Sequence, residues 1–246
     1  MPNDIFDATV ARTYDAASAD RFRPEVLGPT VDVLAEYARA EDGTPGHALE
    51  LAIGTGRVAL PLRDRGVDVH GIEISTAMVD ELRRKPGGDA IPVTVGDMAT
   101  TRLERTFDLV FLVFNTIQNL LEQEEQVACF ANAAAHLRPG GHFVIESGVP
   151  GLRRLPPGER FVPFAVTADH IGIDEYEPAR QLLTSHHVWL PGGATFDSPH
   201  RFVWPSELDL MARLAAMEPV ARWEDWDRRP FTDESTQHVS VWRTPG

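Results

Sequence analysis

A glycine pair, Gly54 and Gly56, closes the mostly apolar run Ala48-Leu49-Glu50-Leu51-Ala52-Ile53, and four further apolar runs each end on a polar group. Val67 to Glu73 closes on an acid. Ile91 to Met98 closes on Gly96-Asp97-Met98, Phe107 to Phe114 is followed by Asn115, and His142 to Ile145 meets Glu146. Glycine serves where backbone takes positive φ or passes close to a ligand. The residues after Gly56 (Val58, Ala59, Leu60, Leu62) have the apolar side of a helix, whose free N–H groups would face whatever sits in the turn. An acid about 20 residues beyond such a turn is placed to accept from ribose hydroxyls in a βαβ nucleotide site.

These groups need a scaffold that brings strand ends together. Helical stretches at roughly 57–65, 75–85 and 122–137 separate most of the runs. Strand alternating with helix predicts a parallel sheet covered on both faces, with a ligand crevice at the carboxyl ends of its strands. Residues 1–45 read as helical and end in the Pro- and Gly-bearing loop 41–46. From 160 to 204 the pattern changes to strands at 160–167, 170–177, 181–190 and 194–204, an antiparallel sheet inserted after the fifth strand. Ser206 is expected to cap a helix, and strands near 219–226 and 237–243 to complete the core sheet. The expected units are 1–150 (N-terminal helices and core), 151–204 (insert) and 205–246 (end of the core).

Together these segments resemble the class I S-adenosylmethionine-dependent methyltransferases. Glu50 through Gly56 is similar to that family's first motif, and Glu73 to the acid after its second strand. Gly96-Asp97-Met98 resembles the segment flanking adenine, and Leu137-Arg138-Pro139-Gly140-Gly141 the turn before strand five. The first of the usual three glycines is Ala52 here. The fold implied is Rossmann-like: α/β, a mostly parallel seven-stranded sheet with helices on both faces, plus an antiparallel β insert.

The resemblance also implies roles. Gly54 and Gly56 would let backbone pass the cofactor S-adenosyl-L-methionine, whose product is S-adenosyl-L-homocysteine. Glu73 would accept from both ribose hydroxyls and Asp97 from the adenine amino group, with Ile74 and Met98 over the adenine faces. Glu50 would orient the amino end. Tyr14, as an N-terminal lid residue, and Arg57 would reach the carboxylate; Ala52, Met78 and Phe114 complete the cofactor set. Asn115, Asn119, Glu146, His170 and His186 lie where an acceptor would approach. A histidine base would suit a hydroxyl acceptor, whereas an amine needs only desolvation to lose its proton. His186 and His187, adjacent on a strand, must face opposite sides. Such transfer needs an acceptor atom held in line with the S–CH₃ bond, and no catalytic triad is legible.

Bulk properties agree with the small-molecule acceptor that the resemblance implies, and exclude several other partners. With 246 residues and 43% hydrophobic content the chain can bury one sizeable core. A net charge of -14 argues against nucleic acid and anionic membranes. No His-x-x-x-His or cysteine pair suggests a metal. The single Cys129 reads as core filler. Without a bilayer-length apolar run or signal-peptide core, a cytoplasmic location is expected; a homodimer is the assembly left open. Two other classes compete. A nicotinamide dehydrogenase would want a third glycine where Ala59 stands and leaves Asp97 unexplained. A noncatalytic module that binds S-adenosylmethionine would carry the same cofactor motifs.

Overall fold

The computed structural model describes residues 6–40, 43–190 and 192–246. The expected boundary loop at 41–46 therefore lies partly outside the described residues. Two N-terminal helices, α1 (Ala8–Ala17) and α2 (Pro24–Tyr37), precede β1 (His47–Leu51), α3 (Ala59–Asp64), β2 (Asp68–Glu73), α4 (Thr76–Arg83) and β3 (Val93–Val95). Then come β4 (Phe107–Leu112), α5 (Gln123–His136) and β5 (Leu137–Gly148). The insert supplies β6 (Phe161–Val166), β7 (His170–Glu177), β8 (Leu182–Trp189) and β9 (Ala194–Arg201); α6 (Pro205–Leu214), β10 (Glu218–Trp223) and β11 (Gln237–Arg243) finish the chain.

The seven-stranded sheet runs β10-β11-β5-β4-β1-β2-β3. Pairing among β1 to β5 is parallel, and β11 joins β5 antiparallel. Alternation along each strand feeds two apolar layers. Leu49, Phe143 and Trp242 pack with Phe130 and Cys129 of α5 and Met211 of α6. Ala48, Val144 and Val241 pack on the other side with Val31 and Leu34 of α2 and Leu62 of α3. All are nearly or fully excluded from water, and burying each large side chain stabilises by about 1.5–3 kcal/mol. No helix is long and apolar enough to cross a membrane.

The insert is a separate antiparallel sheet, β6-β7-β8-β9, with its own small core of Val162, Tyr176 and Phe202. It is pinned to the main body by Arg201. That guanidinium donates to Gln126 Oε1 of α5 (2.5 Å) and to Glu207 Oε1 of α6 (2.8 Å).

Several boundaries differ from expectation. The last helix begins at Pro205 with Trp204 before it, rather than on a Ser206 cap, because proline pre-sets φ and needs no partner for a missing N–H. The third strand keeps only Val93–Val95. Pro92 cannot donate to a ladder, and Asp97 folds back to accept from Ala99 N (2.6 Å). The fourth stops at Leu112, since Phe114 and Asn115 both adopt positive φ. The tenth ends at Trp223, three residues early, as the chain turns to bring the Trp226 indole to Glu146.

Candidate functional site

The carboxyl ends of β1, β2 and β4 form the crevice, and buried acids furnish it. Glu73 is 4% exposed. Its Oε2 accepts from Gly54 N (2.8 Å) and its Oε1 from Ser75 N (2.9 Å). A carboxylate has about four lone-pair positions, so accepting capacity remains for a ligand hydroxyl. Burial raises the Glu73 pKa, against the lowering effect of those backbone N–H groups. Glu50 is 3% exposed, and its Oε2 has no partner. Burial pushes it up to about 8, with nearby Arg57 opposing and Glu73 adding to the rise. An orphaned buried carboxyl oxygen at a strand end suits a cationic ligand group.

The turn between them is shaped by backbone. Gly54 has φ +57, and a Cβ built there would meet open space on the crevice side. Gly56 has φ +78, and a Cβ there would collide with Leu82 Cδ1. Ala52 also sits at positive φ, 54°. The methyl at a position where the family carries glycine therefore costs strain of order 1–3 kcal/mol.

The N-terminal segment is fastened over this crevice. Thr55 Oγ1 donates to Asp15 Oδ1 (2.6 Å), Lys85 pairs with Asp15, and Lys85 Nζ donates to Thr55 O (2.7 Å). Ser75 Oγ donates to the Phe6 carbonyl (2.6 Å), and Phe6 meets Tyr14 edge to face. Burial raises the Tyr14 pKa, countered by the fields of Arg57 and Arg21. Tyr14, Arg57, Glu50 and Glu73 are thus brought into one electrostatic neighbourhood. Ile74 is half-buried beside Glu73 and Asp97 half-buried beyond β3. Met78 and Met98, expected at the crevice surface, are each 2% exposed. Asn132 Nδ2 of α5 donates to the Met98 carbonyl (2.6 Å), and the Met98 side chain packs in the core layer with Leu49 and Phe130.

A cavity of about 140 Å³ opens at the ends of β4 and β5, between the core and the insert. Asn115, Gln118, Gly148, Gly151, Tyr176, Leu183 and Phe202 are among its walls. Asn115 Oδ1 accepts from Gly148 N (2.5 Å), which leaves its amide N–H groups for a ligand. Gln118 Nε2 donates to Ser147 Oγ (3.0 Å), which leaves its carbonyl oxygen. Glu146 is a structural anchor here: Oε2 accepts from Phe114 N (2.9 Å) and Oε1 from Trp226 Nε1 (3.0 Å). Asn119 ends the short turn Thr116–Asn119, half-buried, and is not a wall of the cavity.

His170 and His186, expected near an acceptor, are not among the residues that line this cavity. Cross-strand pairing puts Tyr176, Asp174, His170, Leu183, Ser185 and His187 on one face of the insert, and His186 on the other. His186 bonds Asp197 (2.8 Å) and Glu175 (3.2 Å), away from Tyr176 and Leu183. His170 shares the cavity's face but stands six residues from Tyr176, roughly 20 Å along the strand. Its ring meets His187 through nitrogens 3.1 Å apart with planes 18° apart. An imidazole N–H lies in the ring plane, so these two rings are edge to edge. His200, opposite Leu183, is held down to about 4 by burial.

Sequence reasoning missed Gln118, Tyr176, Leu183 and Phe202. Tyr176 and Leu183 lie on different strands and share a face only through the register of β7 against β8, for which the sequence gave no signal.

Comparison with known proteins shows the family. Residues 48–141 match the family model described as a methyltransferase domain. The chain is 35% identical to the CcbJ methyltransferase from Streptomyces caelestis, with both chains fully covered and a TM-score of 0.85. It is 27% identical over 252 residues to a cypemycin N-terminal methyltransferase from a Streptomyces species, 96% of each chain. The fold is shared with the S-adenosylmethionine-bound amino pentose methyltransferase CalS10 from Micromonospora echinaspora, at 23% identity, TM-score 0.68, and 92% and 95% coverage. The chain is an enzyme of the class I S-adenosylmethionine-dependent methyltransferase family, with S-adenosylmethionine as its cofactor.

Proposed function

We propose that this enzyme methylates the nitrogen of a small-molecule amine, with the insert, residues 151–204, as the roof of the acceptor site. The observation that carries the reading is the chemistry of the cavity wall: among the described residues its polar side chains are Asn115, Gln118 and Tyr176, with no carboxylate or imidazole. A hydroxyl acceptor would call for a base with a pKa near the working pH. His200, at about 4, is too weak for that task. An amine needs only to arrive unprotonated and be aimed. The names of the cypemycin N-terminal and amino pentose relatives support an amine acceptor.

S-adenosylmethionine supplies an electrophilic methyl whose leaving group needs no protonation. The chain's part is to position and to exclude water. We assign Glu73 to the ribose hydroxyls, Glu50 to the amino end, Tyr14 and Arg57 to the carboxylate, and Asp97 with Ile74 to adenine. Phe114, at positive φ just beyond the end of β4, would guide in-line approach. Asn115 and Gln118 would orient the acceptor. The test is transfer to amines and to their hydroxyl counterparts, read by mass spectrometry. Methylated amines and unmodified alcohols are expected; equal transfer to the alcohols would contradict the reading.

Glu50 makes cofactor binding pH-linked. Its pKa without ligand is about 8, against about 4.3 for an exposed Glu, so at pH 7 the folded protein holds a proton that the unfolded chain does not. Raised pKa means that this group favours the fold below about pH 4.3 and that the advantage is lost as pH rises through 8. A cationic amino group beside it should release that proton. Calorimetry at pH 7 in phosphate and in Tris should therefore give binding enthalpies for S-adenosylmethionine that differ by close to one proton's buffer heat. Glu50→Gln should remove the difference, and buffer-independent heats in the parent would contradict it.

A further inference from the structure

The face of the insert that carries Tyr176 and Leu183 runs on past the cavity into a set of aromatic rings. Register places His170 opposite Trp189 and His187 opposite Gly172 on that face, with Phe196 of β9 opposite His187. The planes of His170, His187 and Trp189 lie 13° to 29° from one another, with centroids 5.2 to 5.7 Å apart. Phe164 joins them, its ring centroid 5.3 Å from that of His187. Two local features put it there. A bulge between Pro163 and Ala165 takes Phe164 out of the β6–β7 register, and Gly172 leaves the space its ring fills, since a Cβ there would collide with it. Trp189 and Phe164 are each 41% exposed. Burial and neighbouring His170 hold the His187 pKa below its ordinary value, which keeps that ring neutral.

The cavity, at about 140 Å³, is smaller than the roughly 300–1,000 Å³ of ordinary ligand sites. It can hold the reacting end of an acceptor, and the remainder must lead outward. Along β8 the rings begin four residues beyond Leu183, about 13 Å away. Hydrogen-bonding groups lie between: Ser185 Oγ donates to Asp174 Oδ1 (2.7 Å), and Ser198 Oγ pairs with His200 Nε2 (3.0 Å). Among the described residues, no lysine or arginine stands on this face of β6 to β9. Arg154, in the turn Leu152–Arg154, exerts its field on Asp174 and Tyr176, where Asp174 itself offsets it. A nucleoside diphosphate would find no counter-charge at the rings. We infer that Phe164, His170, His187 and Trp189 form a distal acceptor subsite for an uncharged planar group, carried about 13–20 Å from the amine that is methylated. This rests on the reading of the insert as acceptor roof and adds to it the kind of molecule accepted. A planar group laid against near-parallel rings gains stacking contact and covers the exposed parts of Trp189 and Phe164.

The test uses three primary amines on one flexible linker that spans roughly 15 Å, ended by a naphthyl group, a methyl group or a phosphate. Calorimetry on the full chain with S-adenosylhomocysteine bound is expected to show the naphthyl amine about tenfold or more tighter than the methyl-ended one, and the phosphate-ended one no tighter. Trp189→Ala should remove most of the naphthyl gain and change the methyl-ended amine less than about twofold. Trp189→Phe should restore part of the gain. A naphthyl gain that survives Trp189→Ala would overturn the subsite, and so would tightest binding of the phosphate-ended amine. Sedimentation tests the other occupant, a second copy of the chain: a dimer that Trp189→Ala dissociates, with no ring-dependent amine binding, would assign the rings to a subunit contact and overturn the proposal. Mass spectrometry of the same amines with S-adenosylmethionine separates the subsite from the amine reading. Methylation indifferent to Trp189 would keep the amine reading and sink the subsite. Ring-dependent binding without methylation would keep the subsite and sink the amine reading.

Discussion

Replacing Glu73 by alanine is expected to weaken S-adenosylhomocysteine binding by tenfold to a hundredfold. Two effects add. The ribose loses its acceptors, at about 1.5–3 kcal/mol for hydrogen bonds to a charged group. The turn also loses its tether, because the same carboxylate holds Gly54 N and Ser75 N. Those two amides then face the crevice unpaired, and the turn is freer to move. Stability without ligand should fall little, since removing a buried acid whose pKa is raised by desolvation relieves a cost as well. Glu73→Gln keeps one carbonyl oxygen and should lose less. Calorimetry with a parallel melting curve separates binding from folding. Unchanged affinity in Glu73→Ala would place the ribose elsewhere.

Arg201→Ala is expected to be the most destabilising single change at the base of the insert. Arg201 is 4% exposed and donates to Gln126, Glu207 and, at 3.2 Å, Gln181. Burial alone would raise the Glu207 pKa, but hydrogen bonds from Gln181, Arg201 and Gln123 hold it below the ordinary value. Truncating one member of a buried pair leaves the other uncompensated, typically at 3–5 kcal/mol. For a chain of this size that lowers the melting temperature by roughly 10 °C. The insert should loosen from α5 and α6, and methyl transfer should fall more than cofactor affinity. A shift of only about 2 °C would mean that the network is replaced by water at little cost.

What was legible in the sequence follows from how local each signal is. The glycine turn and Glu73 are fixed by one βαβ unit, so spacing alone located them. A mostly parallel seven-stranded sheet followed from strand and helix alternation and from the two late strands, while the order of the strands needed the structure. Period-two alternation separated His186 from His187, but choosing the inward face needed the register of β7, β8 and β9 against the core. That is why His186 was expected in the cavity and Tyr176 was not. Arg21 carries no motif; only the docking of α1, through Asp15 on Thr55 and Lys85, brings it over Phe114. The role expected of Met98 came from the resemblance of Gly96-Asp97-Met98 to an adenine-flanking segment, and its contact with Asn132 of α5, thirty-four residues on, has no local signal.

A crystal structure of the enzyme with S-adenosylhomocysteine is the most direct test of the central claim, that a methyl leaves the crevice toward an amine held under the insert. The ribose hydroxyls should lie within hydrogen-bond distance of Glu73, and the sulfur should face the cavity walled by Asn115, Gln118 and Tyr176. A ligand whose sulfur points away from that cavity, or one bound outside the crevice, would contradict the account.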